Sequence, residues 1–257
     1  MSNFYEETVV DIHHWTDSLF SFRTTRNAAF RFQSGQFTMM GLEVEGRPLT
    51  RAYSIVSSHY DDELEFFSIK VPHGPLTSKL QHVNKGDRVL VGKKPVGTLL
   101  YDNLEPGKRL WLLSTGTGLA PFLSIIRDPE TYERYEKVIL VHGVRQTAEL
   151  AYGDFIRDQL PSDEFLGEQV TEKLVYYPTV TREPYVNRGR VTDLIVSGQM
   201  FNDLGMPPLD AEIDRVMLCG SPAMLKDCRD ILVERGFAEG SQNKAGQFVI
   251  EKAFVEK

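Results

Sequence analysis

The sequence of 257 residues contains only two cysteines, Cys219 and Cys228. Two thiols at this spacing are too few for an iron–sulfur cluster or a structural zinc site, and they do not suggest a disulfide framework. The six histidines form no cluster with ligand spacing, so the sequence predicts no metal site. Any redox chemistry would therefore use an organic cofactor, and a metal centre would belong to a partner.

Long apolar runs are also missing. Even the apolar stretch 110–122 is interrupted by Ser, Thr and Gly, whereas a membrane span needs roughly 18 apolar residues in a row. The first ten residues include Glu6 and Glu7 and carry neither a basic run nor an apolar core, which argues against a secretory signal. We therefore expect a cytoplasmic protein that makes no membrane contact.

The sequence has no excess of basic charge. Its net charge is −7, which argues against general nucleic-acid binding. The first 105 residues are less acidic, with 11 Lys/Arg against 13 Asp/Glu. They could form a local basic surface for an acidic partner protein, or they could be ordinary solvated charges. The residues concerned are Arg23, Arg26, Arg31, Lys93 and Lys94.

With 41% hydrophobic and 25% charged residues, the chain has the composition of a globular protein with room for two modest domains. Up to about residue 100, short β-rich segments alternate with turn signals. The predicted strands are 8–14, 19–24, 36–42, 52–56, 64–71 and 88–91, with a helix at 76–83. Several short strands at this spacing indicate an antiparallel barrel or sandwich.

After Leu104-Glu105-Pro106-Gly107 the pattern changes to apolar strands that alternate with amphipathic helices. This alternation indicates βαβ units and a parallel sheet. The predicted strands are 110–114, 138–142, 174–179, 215–219 and 247–254, with helices ending at 126 and spanning 148–160, 191–197 and 223–234. We therefore predict two domains, residues 1–103 and 104–257.

The first half carries a candidate anion site. Arg51-Ala52-Tyr53-Ser54 lies on a predicted strand, and a second strand leads into the segment from Gly74 to Leu80. Gly74 would let a ligand approach the backbone, and amides at the start of the following helix could face a phosphate, assisted by the Thr77 hydroxyl. Taken alone, this segment is better explained as an ordinary capped helix with a polar first turn.

The second half carries a strand, a glycine turn and a helix start at 112–122. Gly116 and Gly118 permit close approach to a pyrophosphate, which the helix N-terminus favours electrostatically. The full GxGxxG pattern of a Rossmann fold is absent, because Ala120-Pro121 replaces its later part. By itself this turn is weak evidence for a dinucleotide site.

Arginines follow the next strands. NAD-specific Rossmann domains usually hold the ribose with an acid at the end of the second strand, but here that position is Arg145. Together with Arg182 and Arg190 it could bind a 2′-phosphate. Alternatively, these are surface arginines that pair with Glu149 or Glu183.

Taken in order, these segments resemble the ferredoxin–NADP(H) reductase superfamily over essentially the whole chain. The segments are RAYS, FSIKV, GPLTSKL, GTGLAPF, HGVR, TRE…GR and CGSPAM, and the ending AFVEK is similar to that of a bacterial subclass. The resemblance implies an N-terminal antiparallel β-barrel that binds FAD and a C-terminal Rossmann-like parallel sheet that binds NADP(H). It also implies hydride transfer between NADPH and FAD, with one-electron transfer to or from ferredoxin or flavodoxin.

The resemblance implies residue roles as well. The FAD residues would be Arg51, Ala52, Tyr53, Ser54, Phe67, Ile69, Lys70, Val71, Gly74, Leu76, Thr77, Ala253, Phe254, Val255, Glu256 and Lys257. The NADP residues would be Thr115, Gly116, Thr117, Gly118, Arg145, Thr181, Arg182, Arg190, Cys219, Gly220, Ser221 and Met224. The catalytic set would be Ser54, Cys219, Tyr53 and Ala253.

Within this resemblance, Arg51 and Thr77 bind the FAD pyrophosphate, Tyr53 lies against the isoalloxazine, and Ser54 hydrogen-bonds the reactive flavin nitrogen. Cys219 lies beside the nicotinamide, although a buried strand cysteine is usually only a small hydrophobe. We expect Phe254 to stack on the FAD adenine, whereas a charged chain end is by default frayed.

Three alternatives remain at this point. The chain could be a free-flavin reductase, the reductase component of an oxygenase, or a non-catalytic flavin-binding regulator. The intact glycine turn and arginine set argue against the regulator. No motif demands an oligomer, so we expect a monomer.

Overall fold

The structure, a computed structural model, describes residues 3–251. The chain forms two compact units. The first contains the described residues up to Gly97 together with Ala120–Asp128, and the second contains Thr98–Leu119 and the described residues from Pro129 onward. The roles predicted for Ala253, Phe254, Val255, Glu256 and Lys257 concern residues outside this described range.

The first unit is built on an antiparallel six-stranded sheet. Its strands are β1 (Phe4–His14), β2 (Leu19–Thr25), β3 (Phe37–Val44), β4 (Arg47–Ser54), β5 (Glu63–Ile69) and β6 (Arg88–Gly92), and one short helix, α1 (Thr77–Leu80), follows β5. The strand order is β4-β3-β6-β1-β2-β5. An antiparallel bridge between Ile55 and Phe66 joins the two outer strands. The antiparallel sheet expected from the short strands is confirmed, and the bridge brings its edges together as in a barrel.

Alternation along the strands places one set of side chains inside this unit. The core is rich in aromatic residues, because Phe20, Phe22 and Phe66 are fully buried and their rings pack in sequence. Burial of such rings is the main favourable term in the stability of the unit.

Strand β4 begins earlier than predicted. A two-residue turn at Glu45 and Gly46, both with positive φ, joins β3 to β4, and Val44 pairs with Arg47. Positive φ at both central residues suits the twist of a hairpin. The predicted strand 52–56 was therefore wrong at both ends, because the turn sets the register and places Pro48 inside the strand.

The second unit contains a parallel five-stranded sheet in the order β11-β10-β7-β8-β9. Its strands are β7 (Arg109–Thr115), β8 (Lys137–Val144), β9 (Leu174–Val180), β10 (Asp214–Cys219) and β11 (Phe248–Ile250). The helices of this unit are α3 (Pro129–Arg134), α4 (Gly167–Lys173), α5 (Val191–Val196), α6 (Gln199–Leu204) and α7 (Pro222–Glu234). Helix α2 (Ala120–Ile126) follows β7 in the chain but belongs to the first unit. The predicted parallel sheet is thus confirmed.

The strands of this sheet are apolar almost throughout, as expected where both faces are covered. One polar network is buried at their N-terminal ends. Asp214, which is fully buried, accepts two hydrogen bonds from the Arg109 guanidinium, at 2.6 and 2.8 Å, and one from the Trp111 indole at 2.9 Å. The carboxylate is therefore paired and hydrogen-bonded, as a buried charge requires.

The helix predicted at 148–160 does not form as a regular element. A 3-10 turn spans Thr147–Glu149, Tyr152 has a positive φ of 62°, and the later residues form a π-helical turn at Phe155–Gln159. Tyr152 interrupts the helix, since a residue in the left-handed conformation cannot continue a right-handed helix. Across residues 3–251, no helix is long and apolar enough to cross a membrane.

Candidate functional site

The end of strand β4 presents an aromatic ring and a buried hydroxyl in the first unit. The Tyr53 hydroxyl lies 3.0 Å from the Ser68 hydroxyl of β5, and both residues are buried. Ser54 is also buried, and its Oγ has no hydrogen-bond partner among residues 3–251. A buried hydroxyl without a partner is costly, so Ser54 fits a site that completes its hydrogen bond with a bound group.

Arg51, two residues earlier on β4, is exposed. One of its guanidinium nitrogens donates to the Thr50 carbonyl at 2.9 Å, and within residues 3–251 it forms no ion pair. The remaining donors of this planar fork match a phosphate.

A tight turn follows β5. A Cβ on Gly74 would lie 2.4 Å from the Thr77 Oγ1 and 3.1 Å from the Val71 Cβ, so a side chain there would displace the Thr77 hydroxyl. The Thr77 hydroxyl donates to the Val71 carbonyl at 3.1 Å, and the Ser78 amide donates to the Gly74 carbonyl. The expectation of free amides near 76–78 is therefore wrong for Ser78, because the turn itself uses that donor.

The other predicted flavin residues lie around these two strand ends. Phe67 and Leu76 are buried, Ala52 is half-buried, and Ile69 and Val71 are exposed. The Lys70 ammonium donates to the Thr16 carbonyl at 2.8 Å, so it is already engaged in holding a neighbouring loop.

In the second unit, the glycine turn after β7 packs against the end of β10, backbone to backbone. A Cβ on Gly118 would lie 2.3 Å from the Cys219 carbonyl oxygen, and a Cβ on Gly220 would lie 2.3 Å from the Thr115 Oγ1. Gly116 has a φ of +55°, a backbone angle that residues other than glycine rarely adopt. Three glycines thus make one compact backbone surface from two distant parts of the sequence.

Thr115 joins these segments, because its Oγ1 accepts a hydrogen bond from the Ser221 amide at 2.9 Å. Ser221 in turn caps helix α7, accepting a bond from the Met224 amide at 3.3 Å. Thr117 is half-buried in the glycine turn. The N-terminus of a thirteen-residue helix therefore begins beside the turn, which favours an anionic ligand there.

Cys219 is fully buried at the end of β10. Burial, and to a smaller extent the negative charge of Glu251, raises the pKa of its thiol far above the ordinary value. Glu251 is itself buried and accepts a hydrogen bond from the Thr98 amide at 3.2 Å. Cys219 is consequently a neutral thiol at physiological pH rather than a nucleophilic thiolate.

The structure brings the ends of β8 and β9 together. The Arg182 amide donates to the Arg145 carbonyl at 2.9 Å, and the Thr181 amide donates to the Val144 carbonyl at 3.1 Å. Arg190 stands at the N-terminus of α5, and all three arginines are exposed.

The alternative of surface ion pairs for these arginines does not hold. Glu149 accepts hydrogen bonds from the Arg145 and Gln146 amides, and Glu183 accepts one from the Thr147 amide. Among the described residues, no carboxylate forms an ion pair with Arg145, Arg182 or Arg190. The two acids shape the loop backbone, and the guanidinium groups remain available.

The basic residues of the first unit are largely committed to internal contacts. Arg23 pairs with Asp11 and Glu63, and Arg26 donates to the carbonyls of His59 and Asp61.

The residues that the structure describes contain no group of His, Cys, Asp and Glu that could hold a metal.

The sequence interpretation missed two polar residues beside the sites. Ser68, which forms a hydrogen bond with the Tyr53 hydroxyl, lies in the apolar segment FSIKV. A single serine on the buried face of that strand could have indicated its role. His142 is fully buried on β8. A histidine inside an otherwise apolar strand could have indicated a polar role there.

Comparisons with known proteins agree with this geometry. The family model described as Oxidoreductase FAD-binding domain matches residues 9–101, and that described as Oxidoreductase NAD-binding domain matches residues 112–230. A ferredoxin–NADP reductase of Pseudomonas aeruginosa is 61% identical over the full length of both chains. The chain belongs to the ferredoxin–NADP reductase family.

Other members of the ferredoxin–NADP reductase family are also similar. A flavodoxin/ferredoxin–NADP reductase of Rhodobacter capsulatus is 52% identical, covering 97% of this chain and 93% of that protein. A ferredoxin NADP+ reductase of Neisseria gonorrhoeae, solved with bound FAD and NADP, has a TM-score of 0.89 at 32% identity. That comparison covers 99% of this chain and 100% of the solved one.

Proposed function

We propose that this chain carries electrons between NADPH and ferredoxin or flavodoxin, with FAD held by the first unit and the nicotinamide nucleotide by the second. It is an FAD-dependent oxidoreductase of the family identified above. The observation that carries the residue-level proposal is the buried Ser54 hydroxyl, which has no partner among residues 3–251 at the end of the RAYS strand.

The first unit suits FAD through three features. The Arg51 guanidinium keeps donors for a pyrophosphate, Gly74 keeps the turn after β5 compact, and the Tyr53 ring is fixed by Ser68. We assign the isoalloxazine to Tyr53 and Ser54, and the pyrophosphate to Arg51 and the turn. The remaining predicted residues of this unit line the same strand ends: Ala52, Phe67, Ile69, Lys70, Val71, Leu76 and Thr77.

The second unit suits NADP(H). We assign the pyrophosphate to the glycine turn 116–118 and the N-terminus of α7, and the 2′-phosphate to Arg145, Arg182 and Arg190. A compact surface without side chains lets the backbone amides reach phosphate oxygens. Forked guanidinium donors at the strand ends suit a dianionic phosphate. Thr115, Thr181 and Ser221 support these contacts by holding the loops.

In the reaction, bound FAD supplies the redox chemistry by linking two-electron hydride exchange with NADPH to one-electron exchange with the protein partner. Ser54 donates a hydrogen bond where charge develops on the ring, and such oriented donors stabilise the transition state. Cys219 offers a neutral side chain beside the nicotinamide and gives up no proton, since the pKa of its thiol lies far above the working range. No strong general base is required of this chain.

Several finer points belong to the same proposal. We propose that the AFVEK ending reaches the adenosine end of FAD, with Ala253 beside the flavin, as the resemblance to the bacterial subclass implies. We also propose a cytoplasmic monomer. The net charge of −7 argues against nucleic-acid binding. We also propose a domain division at 103/104, which lies between the end of β6 at Gly92 and the start of β7 at Arg109 and a few residues after the 97/98 division of the compact units.

The central experiment is anaerobic reduction of the purified protein. We expect a yellow protein whose flavin absorbance is bleached by NADPH much faster than by NADH, followed by reduction of added flavodoxin or ferredoxin. A colourless protein without affinity for FAD would rule the proposal out. Bleaching without reduction of either carrier would instead favour a free-flavin reductase.

The arginine assignment has its own test. Arg145→Ala should weaken NADPH binding by tenfold or more while sparing NADH, because a charge-assisted bond to the 2′-phosphate is lost (about 1.5–3 kcal/mol). Arg134→Ala is the matched control, since Arg134 already pairs with Glu130. Equal losses for NADPH and NADH would remove Arg145 from the 2′-phosphate site.

A further inference from the structure

His142 is a fully buried histidine in the second unit. The register of β7 and β8 pairs it with Ser114, two residues before Gly116. Ile139 and Val141 point into one core cluster, so alternation along the strand places His142 on the opposite face of the sheet. The glycine turn starts two residues beyond the paired Ser114. The backbone of Gly116 lies close enough to the His142 ring to raise its pKa.

The two ring nitrogens of His142 have different surroundings. Nδ1 lies 3.2 Å from the Tyr176 hydroxyl of β9. Nε2 is buried, and within residues 3–251 it has no hydrogen-bond partner of ordinary geometry. Burial lowers the pKa of His142 to about 4, although the contact with the backbone of Gly116 opposes part of this shift. The imidazole is therefore neutral at physiological pH, with one donor and one acceptor.

A nearby charge favours one of the two tautomers of the His142 ring. The Arg157 guanidinium lies 5.9 Å from the centroid of the Tyr176 ring. A positive charge over the ring polarises the phenol and makes its hydroxyl a better donor. When Tyr176 donates to Nδ1, the proton of the neutral imidazole resides on Nε2, because the hydrogen bond at one nitrogen sets the tautomer.

The result is an N–H donor buried beside the Gly116 peptide. Buried donors are nearly always paired, and an unpaired one is costly. A small rotation of the Gly116 peptide would complete the bond, and glycine allows such a rotation more readily than any other residue.

We propose that His142 is a positioning residue for the dinucleotide: its Nε2–H holds the Gly116 peptide in the conformation that receives the pyrophosphate, and Tyr176 fixes the tautomer. This inference rests on the proposed assignment of the glycine turn to NADP(H). In this order of action, Arg157 polarises the Tyr176 hydroxyl and Tyr176 sets the tautomer of His142. His142 then holds the glycine turn. His142 itself touches neither the nucleotide nor the flavin.

The inference is tested with the FAD-loaded enzyme and two ligands that share only the adenosine end. Calorimetric titrations with NADP+ and with 2′-AMP would compare wild type, His142→Leu and His142→Gln. We expect His142→Leu to bind NADP+ about tenfold more weakly, since one hydrogen bond is lost, and 2′-AMP within about twofold of wild type. His142→Gln, whose amide reaches the position of Nε2, should recover NADP+ binding to within about threefold.

Three results would overturn the inference: unchanged NADP+ affinity in His142→Leu, equal losses for NADP+ and 2′-AMP, or no recovery in His142→Gln. Equal losses would mean that His142 only supports the sheet. Failure of the underlying function is distinguishable, because wild type itself would then bind no NADP+.

A milder pair of variants keeps the test decisive if His142→Leu does not fold. Tyr176→Phe should weaken NADP+ binding about threefold in the wild-type background, because the tautomer is no longer fixed. The same change should have no effect in His142→Gln, whose amide has no tautomer to fix. Equal effects in both backgrounds, or none in either, would contradict the proposed order of action.

Discussion

Gly118 and Cys219 meet backbone to backbone, so closely that a Cβ on Gly118 would lie 2.3 Å from the Cys219 carbonyl oxygen and 2.6 Å from its carbon. The atoms in the way belong to a buried strand and cannot rotate aside. The turn after β7 and the end of β10 therefore form one surface, and the glycine is what permits their contact.

Gly118→Ala should lower stability by about 1–3 kcal/mol, as overpacking does, and should weaken NADP+ binding because the two segments must separate. Gly116→Ala is the comparison: no atom lies within 4 Å of its added Cβ, but the φ of +55° costs about 1 kcal/mol. Thermal unfolding and NADP+ titration of both variants check this. A melting temperature of Gly118→Ala equal to that of wild type would contradict the contact.

Ser54→Ala should separate stability from catalysis. The Ser54 Oγ has no hydrogen bond to lose within the described protein, so we expect the melting temperature of the apoprotein to stay the same or rise. Flavin reduction by NADPH should slow by about tenfold or more, because an oriented donor at the reacting ring is removed. Anaerobic stopped-flow absorbance measures the rate.

The matched control for that variant is Ser124→Ala. The Ser124 hydroxyl donates to the Ser57 carbonyl at 2.7 Å in the same unit, so its loss should lower stability by about 1 kcal/mol. We expect no change in the rate of flavin reduction. If the two serine variants slowed the reaction equally, Ser54 would have no special role.

Asp214→Asn should destabilise the second unit without altering its chemistry. Asp214 is fully buried and paired with Arg109, and removing one charge of a buried pair costs about 3–5 kcal/mol. Asp214 begins β10 and Cys219 ends it, so the network lies at the far end of the strand from the site. Urea unfolding would show the loss, and the flavin reduction rate of the folded protein should be unchanged.

The pH dependence of stability should reveal His142. Its folded pKa is about 4, below the ordinary 6.5, so the unfolded chain takes up the proton first as the pH falls. The contribution is therefore fully present above pH 6.5 and is lost towards pH 4, by about 3 kcal/mol in total. Urea unfolding at pH 7 and 4.5 should show a smaller acid loss in His142→Gln. Identical losses would mean that His142 is solvated.

Local patterns predicted most of the elements, because period-two alternation and apolar runs depend on neighbouring residues alone. The helix at 148–160 was wrong because Tyr152 adopts a left-handed conformation, which no local preference of tyrosine indicates. The strand predicted at 52–56 was wrong because the Glu45–Gly46 turn sets its register.

The sequence by itself determined the two-part architecture and the family, since the glycine turn, the RAYS strand and the CGSPAM segment are continuous motifs. Only the tertiary structure decided how they act together. It placed Ser68 on Tyr53, Cys219 against Gly118, and His142 beside Ser114 at the start of the glycine turn. These contacts join residues far apart in the chain, and their energies come from burial and exclusion of water, which arise only when the strands have assembled.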